Sequence, residues 1–161
     1  MDNLLLQALK PHIVQQLVEV GSFVELRLGK IIYEADSDIS KVYFPDRGTL
    51  ISLVAVSANR ISVEVGMVGN EGLVGIPVFL GGKKVAYQVL VQGGGNALRV
   101  NAKFARELFA REEFFRKSVL SYIHDVLIYT SQTALCNRIH SVEQRLSSWL
   151  LMAQDLSLIH I

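Results

Sequence analysis

All twelve glycines lie between Gly21 and Gly95, and the last of the three prolines is Pro77. From Asn96 to Ile161 neither residue occurs. Glycine and proline punctuate turns, and both are penalised inside helices. The punctuated first part therefore predicts strands joined by tight corners, and the remainder predicts helices. Leu4 to Val20, with apolar residues at helical spacing and Pro11 as an interruption, predicts one or two short helices ending near Gly21.

Runs rich in β-branched and aromatic residues follow, at 23–28, 30–33, 41–44, 49–56, 60–67, 85–91 and 97–100. Ile61, Val63 and Val65 alternate with Ser62, Glu64 and Gly66, which predicts an apolar face on that strand. Ser57-Ala58-Asn59-Arg60 reads as a hairpin corner. Strands at this interval, broken by glycine, point to a sandwich or a small jelly-roll barrel. Asn101 is placed to cap a helix over 102–110.

A single long helix is predicted over 112–137, with two apolar stripes. Phe115, Val119, Tyr122, Val126 and Tyr129 form one; Leu120, Ile123, Leu127, Thr130 and Ala134 form the other. Both keep the three-and-four spacing of a helix seam. A helix leaning on one sheet needs only one stripe, so the first is expected to pack on the β region. The second is expected to pair with the same helix of another copy, giving a homodimer. Ser141-Val142-Glu143-Gln144 has the pattern of a capping box and opens a further helix. The fold class is thus α+β: an N-terminal helix, a β-roll or jelly roll, a long helix, and one helix after it.

Composition narrows the function. A chain of 161 residues can hide roughly 70% of its unfolded surface, so no staple is required. Half of the residues are hydrophobic, and 19% are charged, below the roughly 25% of ordinary soluble chains. That excludes a disordered chain and hints that a partner covers apolar surface. Sixteen basic residues against fifteen acidic ones leave a formal charge of +1, too little to draw the chain to nucleic acid or a membrane by charge alone. Cys136 stands alone, which excludes a disulfide framework. The start of the chain has no basic leader and no apolar stretch reaches a membrane-spanning length, so a cytoplasmic location without a membrane partner is expected.

Catalytic patterns are wanting. The histidines are His12, His124, His140 and His160, so none stands in the glycine-punctuated region where a jelly-roll metalloenzyme would place its imidazoles. Cys136 and His140 lie four apart, but two ligands do not make a metal site, and no metal is expected. No Gly-x-Ser-x-Gly elbow occurs, and no catalytic residue is assigned. Gly66, Gly69, Gly72 and Gly75 recur at every third position. A phosphate fingerprint needs a helix N-terminus after its glycines, whereas Pro77 and a strand-like Val78-Phe79-Leu80 follow here. These glycines read as β-roll corners.

The order of elements, with Gly29-Lys30-Ile31-Ile32-Tyr33-Glu34, Val42-Tyr43-Phe44-Pro45, Gly69-Asn70-Glu71-Gly72-Leu73-Val74-Gly75 and the stretch from Cys136 to Leu146, resembles the Crp/Fnr family of bacterial transcription regulators. The resemblance runs from about Leu5 to Asp155. It implies a sensor of the cyclic-nucleotide-binding type over 1–111 and a dimerisation helix over 112–137. It further implies, over 138–155, the first helix of a winged helix-turn-helix that continues past this sequence and through which alone DNA is read. Residues 156–161 fall outside the pattern and read as a tail of doubtful origin.

The implied effector pocket comprises Gly72, Leu73, Val74, Gly75, Ile76, Val85, Ala86 and Tyr87. Cyclic-nucleotide binders of the family carry a Gly-Glu pair for the ribose and an arginine about ten residues later for the phosphate. Here those positions are Gly75-Ile76 and, in the arginine's place, Ala86 or Tyr87. A buried phosphate without a cation is left uncompensated, so cAMP binding is expected to be lost. The cysteine cluster of iron–sulfur members is also missing, and no cofactor is expected. The competing readings are a cupin-like small-molecule barrel or enzyme, and a stand-alone interaction module.

Overall fold

The computed structural model describes residues 1–56 and 62–157. Two short helices open the chain, α1 (Leu4–Gln7) and α2 (Pro11–Val20). Pro11 begins α2, where its missing N–H costs nothing. Seven strands follow among the described residues: β1 (Ser22–Leu26), β2 (Ile31–Tyr33), β3 (Lys41–Pro45), β4 (Leu50–Val56), β5 (Ser62–Val68), β6 (Gln88–Gly93) and β7 (Gly95–Asn101). The chain then runs through α3 (Ala102–Arg111), α4 (Glu113–Ile139) and α5 (Val142–Ser157).

The strands form two antiparallel sheets, in the orders β1-β7-β3 and β2-β6-β4-β5. In the first, β7 lies between its neighbours with Phe23 and Phe44 both opposite Leu98. In the second, β4 lies between β6 and β5, with Ile51 opposite both Val91 and Val68. One continuous core fills the roll and extends to the helices, holding Leu6, Ile13, Leu17, Leu26, Phe44, Ile51, Leu98, Leu108 and Phe115.

Two strand expectations need correction. Val78-Phe79-Leu80 is not a strand; Ile76–Phe79 is a turn of 3-10 helix. Gly75 enters it at φ +113° and Pro77 stands in its first turn, a pairing that outweighs the β preference of the valine and phenylalanine. Phe79 then meets the rings of Phe109 and Phe115 at centroid distances of 5.2 and 6.0 Å, joining the roll to α3 and α4. The alternation in β5 does not mark a buried face either. A register shift at Leu53/Val54 pairs Gly66 with Leu53 and Glu64 with Val54, leaving Val65 as the extra residue of a bulge. Val63, opposite Ala55, is 54% exposed. Ile61 and the corner at 57–60 lie outside the described residues.

Both predicted caps form. The Asn101 side chain accepts the Lys103 N–H at 2.9 Å at the start of α3. At the start of α5, Ser141 N–H donates to Gln144 Oε1 (2.9 Å) and Gln144 N–H donates to Ser141 Oγ (3.3 Å), the reciprocal bonds of a capping box. α4 extends two residues past the predicted 137, and α5 runs through Ser157, into the segment read as a tail. No helix of the described residues is long and apolar enough to cross a membrane.

Candidate functional site

The segment from Gly69 to Phe79 follows β5 and ends in the 3-10 turn Ile76–Phe79. Backbone bonds in both directions between Tyr43 and Val74, at 3.0 and 2.8 Å, pin it to β3. Of the residues that the resemblance implies, Leu73, Val74, Gly75, Ile76, Val85 and Tyr87 line one cavity, together with Leu53, Val68 and Val89. The other two predicted residues fall elsewhere. Ala86 is exposed, in the bend before β6. Gly72 is buried, but it packs on the ring of Tyr122 from α4.

The cavity measures about 10 Å³, room for roughly one water molecule and far short of the roughly 300 Å³ at which ligand pockets begin. Its lining carries no charged side chain. Outside this lining, Tyr122 of α4 is 8% exposed and its hydroxyl donates to the Leu73 carbonyl at 3.4 Å. Burial pushes the Tyr122 phenol well above the ordinary tyrosine range, and the nearby Glu71 carboxylate pushes it further. Burial likewise raises Glu71, although both of its carboxylate oxygens accept the Gly69 N–H at 3.0 Å. Tyr87, on the cavity wall, is raised by burial as well.

Asn3 is the residue of this region that sequence reasoning missed. Fully buried, it donates through Nδ2 to the carbonyls of Pro45 and Gly72, both at 2.9 Å, and accepts the Leu6 N–H through Oδ1 at 3.0 Å. It therefore caps α1 and fastens it to the Gly72 turn. Helix capping was legible in an Asn just before the Leu run; the reach to residues 45 and 72 was not.

α4 is apolar on opposite sides. Phe115, Val119 and Tyr122 are buried on the roll, with Val126 and Tyr129 half-buried beyond them. Of the second stripe, Leu120, Leu127, Thr130 and Ala134 are exposed. Ile123, placed with them by the sequence reading, is only 7% exposed and belongs to the core. It follows Val119 by four positions and precedes Val126 by three, so it shares their face. The exposed side gains Ile128, Leu135 and Ile139, each at least 46% exposed.

α5 turns back onto the outer face of the second sheet. Trp149, Met152 and Ala153 cover Leu50 and Met67. Trp149 Nε1–H donates to Glu64 Oε1 at 2.6 Å, and the Ser52 hydroxyl, which also lies against the Gln92 amide, donates to Glu64 Oε2 at 2.6 Å. One carboxylate thus joins β4, β5 and α5. Among the described residues, no group of three metal-ligating side chains converges.

Solved structures share this architecture at low sequence identity. The c-di-GMP responsive global regulator CLP of Xanthomonas campestris superposes with a TM-score of 0.73 at 12% identity, over 88% of this chain and 70% of its own. The catabolite activator protein of Thermus thermophilus gives 0.64 at 14%, over 81% and 61%. The putative cyclic nucleotide-binding protein of Geobacter metallireducens gives 0.62 at 10%, over 78% and 90%. The fold is that of a cyclic-nucleotide-binding domain. No family model matches the sequence, and no curated protein matches it.

Proposed function

We propose that this chain is the sensor and dimerisation part of a bacterial DNA-binding transcription regulator, that it works as a homodimer through α4, and that it does not answer to cAMP. The observation that carries the reading is α4 itself. One of its faces packs on a domain whose structural relatives include a global regulator and a catabolite activator. The opposite face presents Leu120, Leu127, Ile128, Leu135 and Ile139 to solvent. An unpartnered apolar strip of this length is the mark of an association surface.

In this reading a change in the roll reaches α4 through the contact of Gly72 with Tyr122 and is passed to the partner across the α4 seam. DNA is read by a module that follows α5. The cavity at 73–76 supports cAMP independence on two grounds: its volume, and the lack of any cation along its wall to balance a phosphate.

The oligomeric state tests the reading. Light scattering at micromolar concentration should give a dimer for the chain and a monomer for the Leu120→Glu, Leu127→Glu double variant, because a carboxylate left unpaired in a dry seam is strongly unfavourable. Both residues are exposed in the single chain, so the variant keeps its fold, checked by circular dichroism. A monomeric parent chain overturns the dimer, and calorimetric uptake of cAMP at micromolar affinity overturns the effector assignment.

A further inference from the structure

A second cavity of about 380 Å³ opens between the loop at Asp38–Ser40, the turn ending at Lys83 and the first turn of α3. It shares no lining residue with the cavity at 73–76. Its frame is locked by backbone bonds: Ile39 N–H donates to the Lys83 carbonyl at 2.8 Å, and Ala102 N–H donates to the Ser40 carbonyl at 3.0 Å. The turn that delivers Lys83 depends on glycine. Gly81 has φ +84°, and a β-carbon on Gly82 would stand 3.0 Å from that of Pro77.

The floor of this cleft is apolar, formed by Ile39, Val78 and Ala102, each at most 9% exposed. Its rim is cationic. Lys103 and Arg106, three apart on one face of α3, stand with Lys83 against a single acid, Asp38. None of these three cations is in an ion pair among the described residues. Three positive groups against one negative leave +2 in this one cleft, whereas the whole chain carries +1. Such a local excess, with walls that limit screening, concentrates anions.

We propose that this cleft binds a small organic phosphate monoester. The doubly charged phosphate matches the excess charge, with the Arg106 guanidinium supplying a two-toothed contact and the lysines point charges. The aliphatic floor takes the organic part, for which the volume is adequate. A concave site with three cations fits a small molecule better than a nucleic acid backbone, which needs a basic stripe running along a surface.

The test uses phenyl phosphate, inorganic phosphate and phenol as probes on the full chain, followed through the backbone amide resonances of Lys83 and Lys103. Phenyl phosphate should shift both resonances saturably and more tightly than inorganic phosphate, and phenol should leave them in place. Replacing either cation, in Arg106→Gln or Lys103→Gln, should weaken phenyl phosphate by about tenfold, the factor corresponding to about 1.4 kcal/mol. Asp38→Asn should tighten it by removing the opposing charge. These side chains are exposed, so the variants keep the fold, and unchanged amide spectra elsewhere confirm it. The proposal is overturned if millimolar phenyl phosphate leaves the resonances unmoved, if the cation variants bind it as well as the parent, or if a short DNA duplex competes at lower concentration than any of the three probes.

Discussion

Gly72 lies so close to the phenol ring of Tyr122 that a β-carbon at this position would overlap the ring. The turn and the long helix therefore fit together only through a missing side chain. Gly72→Ala should force the buried ring aside and lower stability, as overpacking does by about 1–3 kcal/mol. Tyr122→Leu should itself cost stability, since it leaves part of the ring's space unfilled. If the two residues meet as described, adding Gly72→Ala to Tyr122→Leu should cost far less than adding it to the parent chain. Urea denaturation of the four proteins in this cycle measures the coupling. Additive losses would show that Gly72 and Tyr122 do not share a contact.

Asn3 holds α1 to that same turn. Asn3→Ala removes a cap and leaves the Pro45 and Gly72 carbonyls without the donors they now share. Orphaning buried acceptors costs about 1–3 kcal/mol, and the lost cap adds about 1 kcal/mol. Asn3→Asp keeps an acceptor for the Leu6 N–H, yet it sets a buried carboxylate oxygen against the two carbonyls where the amide donated, and should cost more still. Thermal midpoints in the order parent, Asn3→Ala, Asn3→Asp check this; an Asn3→Asp variant equal to the parent would refute the two donated bonds.

Local signals were the legible ones. The glycine and proline distribution located the boundary between strands and helices, and Asn101 and Ser141 marked their helix starts because a cap is decided within four residues. The two stripes of α4 followed from spacing alone. What the sequence withheld depends on partners far along the chain. Ile123 could join either stripe until the width of the roll's contact was known. Val63 and Val65 looked buried because alternation says which residues share a face, not whether anything covers it. The pocket residues Leu73 to Ile76 came from the family resemblance, and the contact of Tyr122 with Gly72 and Leu73 was not legible, because Tyr122 lies about fifty positions away.

Glu71 supplies a pH dependence. Burial holds its carboxyl above the ordinary value of 4.5, and the backbone N–H bonds offset this only in part. A carboxyl whose pKa is higher folded than unfolded takes up a proton on folding. Its favourable contribution is therefore complete below the ordinary carboxylate range and is lost as pH rises through the raised folded value. Glu71→Gln is uncharged at every pH and still accepts the Gly69 N–H. The stability of Glu71→Gln relative to the parent should accordingly improve between about pH 4 and about pH 7. Denaturation curves at the two pH values decide the point, and a difference that stays constant or moves the other way would show that Glu71 is not raised.

The attachment of α5 can be watched directly, because Trp149 is the chain's single tryptophan. Its indole N–H is held by Glu64, and its neighbours Met152 and Ala153 cover Leu50 and Met67. Glu64→Ala removes the acceptor from the half-buried indole and leaves the Ser52 hydroxyl with Gln92 as its partner. A hydrogen bond to a charged acceptor contributes about 1.5–3 kcal/mol, a large share of what fastens one helix to a sheet face through so small an apolar cluster. Emission from Trp149 should move to longer wavelength in Glu64→Ala and become more accessible to acrylamide. Glu64→Gln, which retains one acceptor oxygen for the indole, should lie between. Melting of the β-roll, followed in the far ultraviolet, should change much less than the fluorescence, because the main core does not include this contact. Unaltered emission in Glu64→Ala would mean that the apolar cluster alone seats α5 and that the carboxylate does not couple it to β4 and β5.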